Sequence, residues 1–429
     1  MASYIFRPPS DKAVERTTHP RQGGNLLTDQ SFAVAESQFA MLRSGSQFDS
    51  FDPYPLYHQI RQFAPVWHSP WGDWYLSSFE AVSSAFGHPA CDMSPWGRRA
   101  RLENQLDPGI ADLFNDWLLF LDPPEHEKLR QEMLKPFTAA PVAALEPMVT
   151  ELCQSLLPQN GVCRAEIVGA VVQPLPIAVI ARLMGIPRSD FDLIVGWARA
   201  LRAVLDSPER AGPEAQASVR QMRSYFLALA QDQTWARLQV AAGHNGLSDL
   251  TKKFPPEVVA ANLALLVFAG HETTVHLMGS LLLHLALRPQ VWTLLRARHD
   301  LIPNAVTEAL RLESPVQKMC RWSHDWVEIA DRAIPPRQTL VLLLGAANRD
   351  PARFPNPDSF DISRDCSNHI AFGRGRHLCL GRLLAMLETT TLLRVLLQRW
   401  TEVGVTKGGW QWLSNSSFRG LERLELEWE

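Results

Sequence analysis

Two glycines constrain this chain more than any other feature. In Phe372-Gly373-Arg374-Gly375-Arg376-His377-Leu378-Cys379-Leu380-Gly381 they lead to a cysteine and then to a long apolar helical stretch, 380–400. Glycine takes φ > 0 without steric cost, so Gly373 and Gly375 let the loop fold back sharply and deliver Cys379 to the first helical turn. Free N–H groups and the positive end of the helix dipole then point at the sulfur. That setting favours thiolate over thiol. A thiolate held this way is a good axial ligand for haem iron. The alternative is a buried structural cysteine, the commoner fate of a single Cys.

The pattern Phe-x-x-Gly-x-x-x-Cys-x-Gly, with Phe372, Gly375, Cys379 and Gly381 at its fixed positions, resembles the haem-binding loop of the cytochrome P-450 family. Three upstream stretches resemble further family motifs, in the expected order. The resemblance implies one haem domain over 31–429, behind a polar tail at 1–30 that is expected to be flexible.

By length alone, 429 residues could form two or three average domains, but no stretch reads as a linker and there are no repeats. A composition of 46% hydrophobic and 20% charged residues is that of a soluble globular protein, and a net charge of -3 argues against bulk nucleic-acid binding. The six cysteines (91, 153, 163, 320, 366, 379) are scattered, as free thiols in a reducing compartment would be. The tail carries Arg7, Lys12, Arg16 and Arg21 and has no apolar run long enough for a signal peptide or anchor. With the resemblance, this implies a cytoplasmic, bacterial-type member with no membrane anchor.

Apolar periodicity predicts helices within 31–63 and over 78–86, 125–136, 141–157, 166–184, 189–205, 213–231, 256–288 and 302–312. A hairpin is predicted at 66–76, turning at Trp71-Gly72-Asp73, with strands at 326–330 and 339–344 and a Pro-rich meander at 351–362. Residues 87–117 read as a long functional loop, and with the 205–213 connection as a lid. The fold class is mainly α with a smaller β portion. The resemblance implies the cytochrome P-450 fold, a triangular prism with haem between a long central helix and the helix following the Cys loop.

Inside the most apolar helix stands Ala269-Gly270-His271-Glu272-Thr273-Thr274. A glycine, an acid and two hydroxyls contradict their surroundings, as functional sites often do. The Thr273 hydroxyl can bond the carbonyl of Ala269 and open the helix locally. Thr274 faces about 100° further round. A polar patch satisfied by neighbouring helices is the other reading. The resemblance implies that this groove holds dioxygen, with Glu272 and Thr273 managing protons and His271 nearby.

Glu308-Ala309-Leu310-Arg311 puts an acid and a base on one helix face. It is an ordinary surface pair or, by the resemblance, the lock of the meander. Arg364 is then the third partner, because Ser359 stands where many relatives have Arg. His126-Glu127-Lys128-Leu129-Arg130 follows Asp122-Pro123-Pro124, with Pro124 suited to the first helical position. The resemblance implies that His126, Arg130, Arg321 and His377 hold the propionates of haem b, with Phe372 and Cys379 completing the cofactor site and Cys379 ligating iron. Arg suits bidentate carboxylate contact. Asp331-Arg332-Ala333-Ile334-Pro335-Pro336-Arg337 departs from the family's Gly-x-x-Ile-Pro-x-Gly, and the missing glycines predict a reshaped turn.

A zinc site from Cys366, His369, His377 and Cys379 is one rival reading, since zinc accepts such ligands. A non-enzymatic haem sensor or electron carrier is another, and peroxide-driven chemistry a third. The retained Glu272-Thr273 pair favours dioxygen. The expectation is therefore a haem-thiolate monooxygenase, a monomer by the same resemblance, served by a separate ferredoxin and ferredoxin reductase. These would meet a basic face bearing Lys128, Arg374, Arg376 and Arg382. By family position, 93–117, 198–206, 261–274, 315–319 and 412–418 line the pocket, with Trp96, Leu265, Ala269, Val316, Met319 and Phe418 as its named residues. These apolar stretches fit a sizeable hydrophobic substrate such as a polyketide, terpenoid or modified peptide. Hydroxylation, epoxidation and oxidative coupling remain open.

Overall fold

The computed structural model describes residues 52–70, 72–93, 106–158, 163–206, 211–232, 247 and 249–429. The expected tail, the helical period of 31–51, the lid residues 94–105 and 207–210, and Trp96 lie outside the described residues. Among the described residues twelve helices reach eight or more residues. The first six are α1 (Tyr54–Phe63), α2 (Phe79–Gly87), α3 (Pro108–Asn115), α4 (Glu125–Met133), α5 (Glu146–Leu156) and α6 (Pro174–Met184). Then come α7 (Phe191–Asp206), α8 (Pro213–Gln231), α9 (Pro256–Ala286), α10 (Pro289–Ala297), α11 (Ile302–Leu312) and α12 (Arg382–Arg399).

Helix α9 is the axis of the molecule. Pro256 suits its first turn, where an amide hydrogen would have no helical partner. Thirty-one residues span about 46 Å. The helix is apolar around most of its circumference, so it needs cover on every side. Helices α3, α6, α7, α8, α10, α11 and α12 all pack against it. By length and composition it could cross a membrane, but 78% of its most apolar window is buried inside the protein.

Short strands form three sheets among the described residues. Strands β1 (Val66–His68), β2 (Trp74–Leu76), β3 (Cys91–Asp92), β5 (Lys318–Ser323) and β8 (Thr339–Leu343) make one sheet in the order β1-β2-β8-β5-β3. Strand β4 (Arg164–Glu166) pairs with β10 (Leu421–Trp428), which pairs with β9 (Val403–Trp412). Strands β6 (Val327–Ile329) and β7 (Arg332–Ile334) form a hairpin.

The mainly helical fold agrees with the sequence reading, and the differences have local causes. The helix expected over 166–184 is split. Val168–Val172 is a π-helical turn, and α6 starts anew at Pro174, because Pro174 and Pro176 remove two amide donors. Pro124 caps α4 from outside rather than opening it. The stretch 87–117 contains β3 and α3, and α3 is announced by Asp107, whose carboxylate accepts the Gly109 N–H at 2.9 Å. The turn around β7 keeps its left-handed residues without glycine: φ is 60° at Asp331 and 65° at Arg337. Ala330, with φ of 48°, is left-handed as well, so three non-glycine residues carry the strain.

Candidate active site

The Cys loop folds back as its glycines require. Gly373 and Gly375 have φ of 69° and 68°, and a Cβ on Gly375 would lie 2.9 Å from the Phe86 carbonyl oxygen. The Cys379 N–H donates to the Phe372 carbonyl at 2.9 Å, which closes the loop. Helix α12 begins at Arg382, so Cys379 lies just ahead of it, and the N–H groups of Gly381 and Arg382 face the sulfur. One expectation is corrected here. Burial raises the Cys379 pKa above the ordinary thiol value, although those two N–H groups and the charges of Arg130 and Arg382 pull it down. The loop alone does not make a thiolate; a metal cation at the sulfur would have to displace the proton. The sulfur lies deep in the protein yet opens onto a cavity, which leaves the residue only half-buried.

That cavity, of about 270 Å³, lies between α9 and the Cys loop. Of the named pocket residues, Leu265, Ala269, Val316, Met319 and Phe418 line it, as do Phe372, His126, Arg130 and His377. The stretch 198–206 does not contribute to its wall, nor does Trp412. Leu118, Leu119, Phe120 and Ile180 do instead.

The rim holds buried imidazole nitrogens without partners. His126 is 1% exposed, and neither of its ring nitrogens has a hydrogen-bond partner; the same holds for Nε2 of His377. The two rings lie 4.3 Å apart. Burial, reinforced by Arg130, Arg376 and Arg321, lowers the His126 pKa to about 4. Arg130 Nη2 donates to the Leu378 carbonyl at 2.6 Å. Arg321 is buried, donates to the Cys320 carbonyl at 2.8 Å and stacks over Phe86. Buried polar groups are rarely left unmatched. Cationic and imidazole donors at one end, a sulfur below and an apolar wall above fit haem, whose two carboxylates would supply the missing acceptors.

Above the cavity the Thr273 hydroxyl donates to the Ala269 carbonyl at 2.9 Å, the bond expected from the sequence. Thr274 lines the cavity as well, although it was expected to face aside. Glu272 is buried and turned toward α7. Its Oε2 accepts from Arg202 Nη1 at 3.0 Å and lies 3.6 Å from His276 Nε2. Burial raises the Glu272 pKa, and Arg202 opposes the rise. Burial, with Arg202 adding to it and a backbone hydrogen bond at Gln173 opposing it, lowers the His271 pKa to about 4.

The Glu308–Arg311 pair is fully buried. Arg311 forks onto Glu308, Nε to Oε2 at 2.7 Å and Nη2 to Oε1 at 2.8 Å. Arg364 Nε reaches Glu308 Oε1 at 3.3 Å and its Nη2 reaches the Ser359 hydroxyl at 3.1 Å. The Cys366 thiol donates to Glu308 Oε2 at 2.9 Å. The zinc ligands are therefore not gathered, and no cluster of three or more candidate metal ligands occurs among the described residues.

Sequence reasoning missed Arg202, His276 and the buried Glu388, which lines the cavity. Arg202 is 70 residues from Glu272 and no local pattern links them. His276 follows Glu272 by four positions, and that spacing was the available signal.

A cavity of this make-up fits a haem group. The chain belongs to the cytochrome P450 family, and it is an oxidoreductase of the monooxygenase type. The family model described as Cytochrome P450 matches residues 237–407. The chain is 31% identical over 389 residues to the biotin biosynthesis cytochrome P450 of Bacillus subtilis, covering 88% of this chain and 96% of that one. It is 31% identical over 394 residues to the cytochrome P450 monooxygenase PikC of Streptomyces venezuelae, covering 88% and 91%. The crystal structure of P450BioI with acyl carrier protein ligated to hexadec-9Z-enoic acid superposes with a TM-score of 0.81 at 31% identity, covering 91% of this chain and 100% of that one. CalO2 superposes at 0.79 and 27% identity, covering 89% and 99%.

Proposed function

We propose that this monooxygenase inserts one atom of dioxygen into a sizeable hydrophobic molecule, by hydroxylation or epoxidation, within secondary-metabolite biosynthesis. The observation that carries the reading is the Thr273 hydroxyl at the cavity wall, anchored on Ala269 beside a buried acid. When bound, haem b supplies iron that activates dioxygen with electrons received one at a time. Cys379 would ligate it, and His126, Arg130, Arg321 and His377 would hold its propionates, with Phe372 packed beside the loop. The apolar wall of Leu265, Val316, Met319 and Phe418 would orient the substrate and exclude water. Thr273 would present a hydrogen bond over the reacting face, and Glu272 would relay protons inward from the Arg202 side.

The reading includes a separate ferredoxin and its reductase, docked near Lys128, Arg374, Arg376 and Arg382, and a monomeric cytoplasmic protein. Substrates are found by screening hydrophobic compounds for a shift of the Soret band. Turnover under isotopically labelled dioxygen then tests the reaction. One labelled oxygen in the product supports the proposal; a product whose oxygen comes only from water or peroxide overturns it.

A further inference from the structure

Buried titratable groups cluster behind Glu272, away from the cavity. Glu272 Oε2 lies between two partners, Arg202 Nη1 at 3.0 Å and His276 Nε2 at 3.6 Å. The Arg202 side chain is 25% exposed, whereas His276 is 3% exposed. Neither ring nitrogen of His276 has a hydrogen-bond partner. The ring is fixed by its surroundings: it packs against Gly420, where a Cβ would lie 2.0 Å from Nδ1. Its centroid is 6.2 Å from that of Phe418, which lines the cavity.

We propose that His276 is a positioning residue, its imidazole forming a second seat for the Glu272 carboxyl group, opposite Arg202, that holds the acid when Arg202 turns toward solvent. The inference rests on the reading of Glu272 as proton relay. A separation of 3.6 Å is too long for a hydrogen bond, so the seat fills only when the carboxyl group shifts toward it by a fraction of an ångström. Arg202 is the mobile partner, because its side chain is partly exposed. His276 is the immobile one, because its ring is buried and packed against Gly420.

An imidazole suits this task in both states of the acid. Burial, with Arg202 and His271 adding to it, lowers the His276 pKa to about 3, so the ring is neutral at physiological pH. A neutral ring carries one N–H and one lone pair. Its N–H donates to the carboxylate, and in the other tautomer its lone pair accepts from the carboxylic acid. The charged and titratable groups facing this pair are Arg199 and Arg202 on α7 and His271 on α9. Arg419, next to Gly420, is bonded to Glu313 at 3.0 Å.

The test follows the Glu272 carboxyl directly, by infrared difference titration of the haem-loaded protein, with Glu272→Gln identifying the band. His276→Leu removes both ring nitrogens and so leaves the carboxylate nothing to turn to when Arg202 swings away. The Glu272 midpoint should rise by about one pH unit, the size of one hydrogen bond to a charged group. His276→Gln keeps an N–H donor and should restore the midpoint. A purely structural His276 would lower thermal stability and leave the midpoint in place, which would overturn the proposal. Should His276→Leu fail to fold, ¹⁵N-histidine spectra of the ferrous carbonyl protein decide. A signal lost in His276→Gln should move as Glu272 titrates and stay fixed in Glu272→Gln; a signal that stays fixed in the unaltered protein contradicts the second seat. Unchanged turnover in Glu272→Gln would sink the relay reading alone, leaving the coupling of Glu272 to His276 to be measured.

Discussion

Arg311 grips Glu308 with two parallel N–H bonds, at 2.7 and 2.8 Å, and neither side chain is exposed to solvent. The same guanidinium donates to the carbonyls of Asn348, Pro357 and Ser359, so one arginine ties α11 to the meander that precedes the Cys loop.

Breaking one side of that grip should be costly. Glu308→Gln leaves the Arg311 charge buried without its carboxylate, a change worth about 3–5 kcal/mol. Chemical denaturation should show the loss, together with weakened haem retention. Arg364→Ala should cost less, because its contact to Glu308 is longer and single. Equal stability of Glu308→Gln and the unaltered protein would refute the locking role.

Thr273→Ala should bind haem and substrate and still consume reducing equivalents, yet release more peroxide and less product. The hydroxyl that faces the cavity is gone, and positioned proton donors contribute about 10²–10⁴-fold. Product and peroxide per electron are the quantities to measure. Thr274 also lines the cavity, so Thr274→Ala is the control. Should uncoupling follow Thr274 alone, the register of the groove is wrong.

Arg202→Leu removes the strongest charge that favours the Glu272 carboxylate. The Glu272 pKa, already raised by burial, should rise further. The acid then stays protonated to higher pH, and the limb of the turnover profile set by Glu272 should move in the alkaline direction. A profile that moves toward acid, or not at all, would contradict the ion pair.

The sequence disclosed the Cys loop and the Glu272–Thr273 step because each needs a residue type that its surroundings would otherwise reject. Gly373 and Gly375 are required by backbone geometry, and a polar pair inside α9 breaks the apolar pattern. Arg364 was legible as the third member of the Glu308 pair because Ser359 left a vacancy for a cation. Arg202 was invisible, since its contact with Glu272 crosses from one helix to another. Strands β9 and β10 were also missed; register shifts interrupt their pairing and blur the alternation along each strand. The Cys379 pKa was misjudged because local N–H groups are readable from sequence, whereas the depth of burial is set by everything packed around them.

Glu388 gives the protein a pH signature of its own. It is fully buried, Oε2 has no hydrogen-bond partner, and burial raises its pKa well above the usual value. The native state therefore keeps a proton that the unfolded chain releases above the ordinary carboxylate range. Its contribution is complete below that range and is lost as pH rises toward the native pKa, by up to about 1.4 kcal/mol per pH unit. Glu388→Gln should flatten this part of the stability–pH curve, as urea unfolding at mildly acid and mildly alkaline pH can show. An unchanged slope would mean that Glu388 ionises freely in the folded protein.

The ferrous carbonyl spectrum of the unaltered protein and of Cys379→Ser tests the central claim most directly. Sulfur ligation predicts a strongly red-shifted Soret band in the unaltered protein, and an alcohol donates far less to iron. The band should vanish in Cys379→Ser while haem remains bound through the Arg and His rim. Persistence of the red-shifted band without the Cys379 sulfur would contradict the assignment of the ligand, and with it the account of the loop that delivers it.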